Sequence, residues 1–95
     1  MIHVTCAIIE KDGYVLVTQR SEQMALPLKW EFPGGKVDGE ESMEDCLKRE
    51  IREELNIEIN IIKAQEPNTH IYPNEKVINL IPFICEYISG ELHLS

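Results

Sequence analysis

Basic residues are scarce in this chain of 95 residues: 9 Lys and Arg stand against 17 Asp and Glu, and the formal charge is -8. That balance repels phosphate backbones and anionic lipid unless a cation intervenes, so neither a nucleic-acid polymer nor a membrane is expected as a partner. Long hydrophobic runs are also missing, since no apolar stretch approaches the roughly 20 residues needed to cross a bilayer. Residues 1–10 lack the basic segment, apolar run and cleavage site of a signal peptide, and the expected location is cytoplasmic. Cysteine is limited to Cys6, Cys46 and Cys85, an odd number spaced by tens of residues, which fits neither a disulfide framework nor a zinc site. Buried free thiols are the expectation. Five glycines and five prolines, with 43% hydrophobic and 27% charged residues, exclude collagen-like and disordered compositions. A chain of this size buries only about 60–65% of its unfolded surface and cannot divide it between two cores, so residues 1–95 are read as one domain.

Residues 2–9 and 14–18 are β-rich and flank the turn signal Lys11-Asp12-Gly13, which predicts a hairpin. Residues 21–29 read as a loop interrupted by Pro27. Trp30-Glu31-Phe32 is a short extended piece that stops at Pro33-Gly34-Gly35. Met43, Cys46, Leu47, Ile51 and Leu55 form one apolar stripe at helical spacing, which predicts a helix over residues 42–55 with Ser42 as N-cap and Asn56 as left-handed C-cap. Residues 57–62 alternate as a strand. A second β-rich run over 77–88 carries Pro82, which predicts an edge position or a bulge. Ser89-Gly90 turns the chain, and residues 91–94 begin another alternating strand. The expected class is mixed α/β (α+β), with about five strands and only one long helix, so one sheet face is left under-covered.

The chemistry concentrates in residues 35–57. Glu50, Glu53 and Glu54 lie three and four residues apart on one helix face, an arrangement that is destabilising for like charges and calls for a hard cation such as Mg²⁺. Arg49 pairs with Glu53 one turn on and can reach back to Glu41, orienting the carboxylates. Gly34-Gly35 lets backbone approach a ligand closely. Taken alone, the charged helix face would more often be mere solvated surface.

Over the longer window, Gly35, five residues, Glu41, seven residues, then Arg49-Glu50-Ile51, Glu53-Glu54 and Ile57 resembles the Nudix box. Asn56 stands where that motif has glycine. Trp30 to Lys36 and Thr18-Gln19-Arg20 are similar to the MutT-type branch of the Nudix hydrolases, so the likeness spans nearly the whole chain. The resemblance implies a Nudix-type α/β/α sandwich and hydrolysis of a nucleoside triphosphate, oxidised or pyrimidine, to monophosphate and pyrophosphate with Mg²⁺ or Mn²⁺. It implies that the Gly35 carbonyl, Glu50, Glu53 and Glu54 hold metal, that Glu41 and Arg49 brace the site, and that Arg20, Phe32 and Tyr72 contact the base. Related enzymes continue with a further strand, a loop that often carries another catalytic Glu, and a C-terminal helix, none of which precedes Ser95. Either Glu53 or Glu54 is then the general base, or the chain is truncated and the base is absent. His3, His70 and His93 are scattered and read as structural or exposed.

Two other functions stay open at this point: a Nudix-like domain that binds a nucleotide without turning it over, and an acidic interaction domain whose glutamates are solvated. The expected partner is a small-molecule nucleotide, with room for a homodimer.

Overall fold

A computed structural model describes residues 1–19, 30–71 and 73–91. The elements run in the order β1 (Ile2–Lys11), β2 (Tyr14–Val15), β3 (Thr18–Gln19), β4 (Trp30–Glu31), β5 (Gly34–Lys36), α1 (Met43–Leu55), β6 (Glu58–Ala64), β7 (Asn68–Ile71) and β8 (Val77–Ser89). The sheet is mixed. β1 and β8 pair in parallel at its centre, from Ile2 against Ile78 to Glu10 against Glu86. β2 and β5 add antiparallel to β1, while β6 and β7 add antiparallel to β8. β3 and β4 form a separate two-stranded ribbon.

The helix forms where its stripe predicts. Ser42, extended at φ -71° and ψ 162°, accepts the Asp45 N–H on its hydroxyl at 3.1 Å. Asn56 closes the other end at φ 60° and ψ 35°, a left-handed conformation that asparagine tolerates better than most residues. Leu47, Ile51 and Leu55 are buried against Ala7 and Ile9 of β1, Ile81, Phe83 and Cys85 of β8, and Ile59 of β6, and Cys46 is buried beside Thr5. Met43 packs at the rim. All three cysteines are buried and free, as expected.

Alternation sends Val4, Ile8, Leu80 and Ile84 to the opposite sheet face, where they are half-buried. Among the described residues the only helix is α1, so that face is the under-covered one.

Several expectations are corrected. Pro82 lies in a central strand, not at an edge. Its carbonyl accepts the Gln65 N–H at 2.8 Å, and in a strand N and C=O of one residue face the same side. The missing donor therefore faces the handover from β6 to β7, where the ladder has no place for it. β7 was not legible, because its four residues are all exposed and polar residues dominate it. The run 14–18 splits into β2 and β3, which join different partners. The chain does not stop at Pro33-Gly34-Gly35 but continues as β5 along β1. The strand expected over 91–94 falls almost wholly outside the described residues.

Removing the N-cap oxygen with Ser42→Ala should cost about 1 kcal/mol. In urea unfolding the midpoint should drop with an unchanged m-value, and an unchanged midpoint would show that the cap carries no stability.

Candidate active site

Gly35 brings the helix and β5 together. A Cβ built on it would lie 2.6 Å from Glu50 Oε2 and 2.8 Å from Glu50 Cγ, so the Glu50 side chain occupies the space that any larger residue would take. Gly34 is equally constrained, since a Cβ there would strike the Thr5 carbonyl and come within 2.6 Å of the Cys6 Cα. Two glycines thus let one strand lie flat against β1 and beneath a carboxylate.

Arg49 gathers the glutamates. Its Nη2 donates to Glu41 Oε1 at 2.7 Å and its Nε to Glu41 Oε2 at 3.1 Å, a two-pronged pair that suits the planar guanidinium. Nη1 donates to Glu50 Oε1 at 3.0 Å and to Glu53 Oε2 at 3.3 Å. Glu41 also accepts the Asp38 N–H at 3.0 Å. The Arg49 hydrogen bonds hold the Glu41 carboxyl down at about 2, and they push the guanidinium further up.

Glu54 is treated differently. Burial, then the charge of Glu50, pushes it up to about 7, with Glu31 and Glu53 adding to the effect and Glu50 hydrogen-bonded to it. Three of the helix carboxylates therefore crowd more negative charge than one arginine neutralises. Among the described residues no three acidic, His or Cys side chains converge on one point to hold an ion, because Arg49 holds Glu50 and Glu53 to itself. The donor set nonetheless fits a hard divalent cation: all its ligands are oxygens, and a Glu that keeps its proton near neutrality marks charge that a cation would relieve.

The carbonyl singled out from the sequence faces inward. Ala7 donates to the Pro33 carbonyl at 2.8 Å and Val37 to the His3 carbonyl at 2.9 Å, so pairs 7–33 and 3–37 are the hydrogen-bonded ones and the alternation makes 5–35 another. The Gly35 carbonyl thus points at β1, where it also accepts the Thr5 hydroxyl at 3.2 Å. The Gly34 carbonyl points away from β1.

A cleft of about 600 Å³ opens beside these groups and is lined by Glu54 and Gly35 together with Glu31, Phe32, Cys6, Val4 and Leu80. Its wall combines acidic and apolar side chains. Phe32 is 41% exposed and lines this cleft. Arg20 and Tyr72 lie outside the described residues. His3 and His70 are exposed on the sheet. Sequence reasoning did not single out Thr5, Glu31 or Leu80, and the one available signal was Thr5, a polar residue in a buried phase of β1.

A family model described as the NUDIX domain matches residues 1–93. The chain belongs to the Nudix family. It is 51% identical over 61 residues to a CTP pyrophosphohydrolase of Escherichia coli (strain K12), covering 64% of this chain and 45% of that protein. It is 36% identical over 92 residues to an 8-oxo-dGTP diphosphatase of Haemophilus influenzae, covering 96% and 67%. The crystal structure of a MutT protein from Methanosarcina mazei superposes with a TM-score of 0.85 at 30% identity over 99% of this chain and 69% of that one. The chain therefore spans about half to two thirds of the length of these Nudix relatives. The Nudix fold here is a mixed sheet with the box helix on one face. No described helix is long and apolar enough to cross a membrane.

The acid–base balance has a signed consequence for the metal-free protein. Glu54 binds its proton more tightly folded than unfolded, so its stabilising contribution is present below the ordinary value of 4.5 and lost as pH rises through about 7. Glu41 does the reverse: its contribution is present above 4.5 and is lost as pH falls toward about 2. Melting temperatures in chelator should fall more between pH 5 and pH 8 for the wild type than for Glu54→Gln. Parallel curves would show that Glu54 does not titrate in that window.

Proposed function

We propose that this Nudix chain is the box-bearing part of a divalent-metal-dependent hydrolase that splits a nucleoside triphosphate into nucleoside monophosphate and pyrophosphate. The observation that carries the reading is the cleft itself, whose wall combines the carboxylates Glu54 and Glu31 with the apolar Phe32 and Leu80. A nucleotide needs both kinds of wall, polar groups for its polyphosphate and an apolar surface for its flat, stacking base. A chain of charge -8 meets a polyphosphate only through a cation, which agrees with oxygen donors in that wall.

Glu50, Glu53 and Glu54 are the residues that would hold Mg²⁺ or Mn²⁺, joined by a β5 carbonyl, for which the outward-facing Gly34 is better turned than Gly35. When bound, the ion supplies charge stabilisation to the phosphoryl oxygens and lowers the pKa of water. Arg49, anchored by Glu41, keeps Glu50 and Glu53 on one side of the helix and gives them a cationic partner when the ion is absent. Of the two candidates for accepting a proton from water, Glu54 is the one that stands in the cleft wall. Phe32 offers a ring face to the base, and Arg20 and Tyr72 remain assigned to the base from the sequence. The names of the relatives, a CTP pyrophosphohydrolase and an 8-oxo-dGTP diphosphatase, support a cytidine or an oxidised guanosine triphosphate as the first substrates to try. The chain is taken as a single Nudix domain acting in the cytoplasm.

Pyrophosphate release should be measured on CTP, dCTP, 8-oxo-dGTP, dGTP and ADP-ribose, with Mg²⁺ and with chelator. Metal-dependent release from a triphosphate is expected, with Glu54→Gln lowering kcat by about 10²-fold or more, as removal of a positioned acid–base group does. Nucleotide binding without any turnover would overturn catalysis by this chain and leave a truncated or a sensing domain.

A further inference from the structure

Thr5 of β1 and Cys46 of α1 are sealed between the sheet and the helix, each 0% exposed, and Thr5 is the one buried polar side chain other than cysteine among the described residues. Each reaches a carbonyl of β5. The Thr5 hydroxyl donates to Gly35 O at 3.2 Å, the Cys46 thiol donates to Lys36 O at 3.4 Å, and Thr5 Oγ1 and Cys46 Sγ meet at 3.6 Å. Burial pushes the Cys46 thiol up, so it stays protonated and able to donate at neutral pH.

The fold has no evident need of this cluster. β5 is already laced to β1 by backbone bonds on either side, Ala7 to Pro33 and Val37 to His3. Valine would fill the volume of Thr5 without burying a hydroxyl, which is the easier solution for a core. What the cluster does touch is the stretch of β5 where the absence of a side chain on Gly35 lets the Glu50 side chain of α1 lie against the strand. Cys46 stands one turn before Glu50 on α1, and Gly35 lies directly beneath the Glu50 carboxyl.

We propose that Thr5 and Cys46 are positioning residues, which clamp the first half of α1 to the Gly35–Lys36 backbone and thereby fix where the Glu50 carboxylate stands. Thr5 borders the cleft but is 0% exposed, and Cys46, also 0% exposed, does not line it, so neither presents a side chain to substrate. Cys46 ties α1 to Lys36 O directly, while Thr5 on β1 holds Gly35 O and meets Cys46 Sγ, so β1, β5 and α1 are fixed to one another at one point. It rests on the reading that Glu50 holds a divalent ion, and a carboxylate held in place binds a small, geometrically demanding cation better than a mobile one.

The test is Mn²⁺ binding to the purified chain without nucleotide, followed by the electron paramagnetic resonance of free Mn²⁺, for wild type, Thr5→Val, Thr5→Ser, Cys46→Ala and Glu50→Gln. Thr5→Val should weaken binding about tenfold while melting at or above the wild-type temperature in chelator, and Thr5→Ser, which keeps the donor, should restore most of the affinity. Cys46→Ala should weaken binding in the same direction. Wild-type affinity in both Thr5→Val and Cys46→Ala would overturn the clamp while leaving the metal reading intact. Should Thr5→Val fail to fold, the decision passes to Cys46→Ala together with Thr5→Ser: a loss in the first with near wild-type binding in the second supports the clamp, and unchanged binding in Cys46→Ala refutes it. Equal binding by wild type and Glu50→Gln, or none by wild type, would remove the metal reading and the clamp with it.

Discussion

Helix α1 approaches β5 so closely at Gly35 that the Glu50 carboxyl fills the position a Cβ would need. Most of the site depends on that contact. The apolar stripe of Cys46, Leu47, Ile51 and Leu55 seats the helix on the sheet, and the same rotation that buries these residues brings Glu50 over the glycine. Burial of the stripe supplies the favourable free energy, and the absence of a side chain on β5 decides how near the charged edge of the helix comes to the strand. Any residue larger than glycine would separate the two or turn Glu50 outward.

Closeness of like charges follows from this packing and has to be balanced. Arg49 does so for Glu41, Glu50 and Glu53, reaching each within 3.3 Å. It leaves Glu54 in a half-buried wall where burial first, and neighbouring carboxylates after it, raise its proton affinity to about 7. An arrangement that stability alone would not favour is thus maintained by the fold, which is how binding and catalytic sites commonly differ from the surfaces around them. The arginine occupies, in a sense, the electrostatic role that a divalent ion would share.

The cleft draws on parts of the chain that are far apart in sequence. Val4 and Cys6 come from β1, Glu31 and Phe32 from the β4 segment, Leu80 from β8 and Glu54 from the helix. The parallel pairing of β1 with β8 sets the first and third of these side by side. Pro82 could enter this central strand because its missing donor faces the point where β6 gives way to β7.

Residues 35–57 determined a great deal on their own: the helix, its Ser42 and Asn56 caps, the buried stripe, the family and the grouping of Arg49 with the glutamates all follow from spacing within some twenty residues, because a helix converts sequence separation directly into geometry. The caps were legible for the same local reason. The direction of the Gly35 carbonyl, the sealed Thr5 and Cys46 pair, the central place of Pro82 and the strand β7 were not. Each depends on which strand lies alongside and on hydrogen-bond parity across the ladder, and neither quantity is written in any short stretch of chain. Local periodicity specified which side chains share a helix face; only long-range strand pairing decided which backbone oxygens and which apolar residues that face would meet.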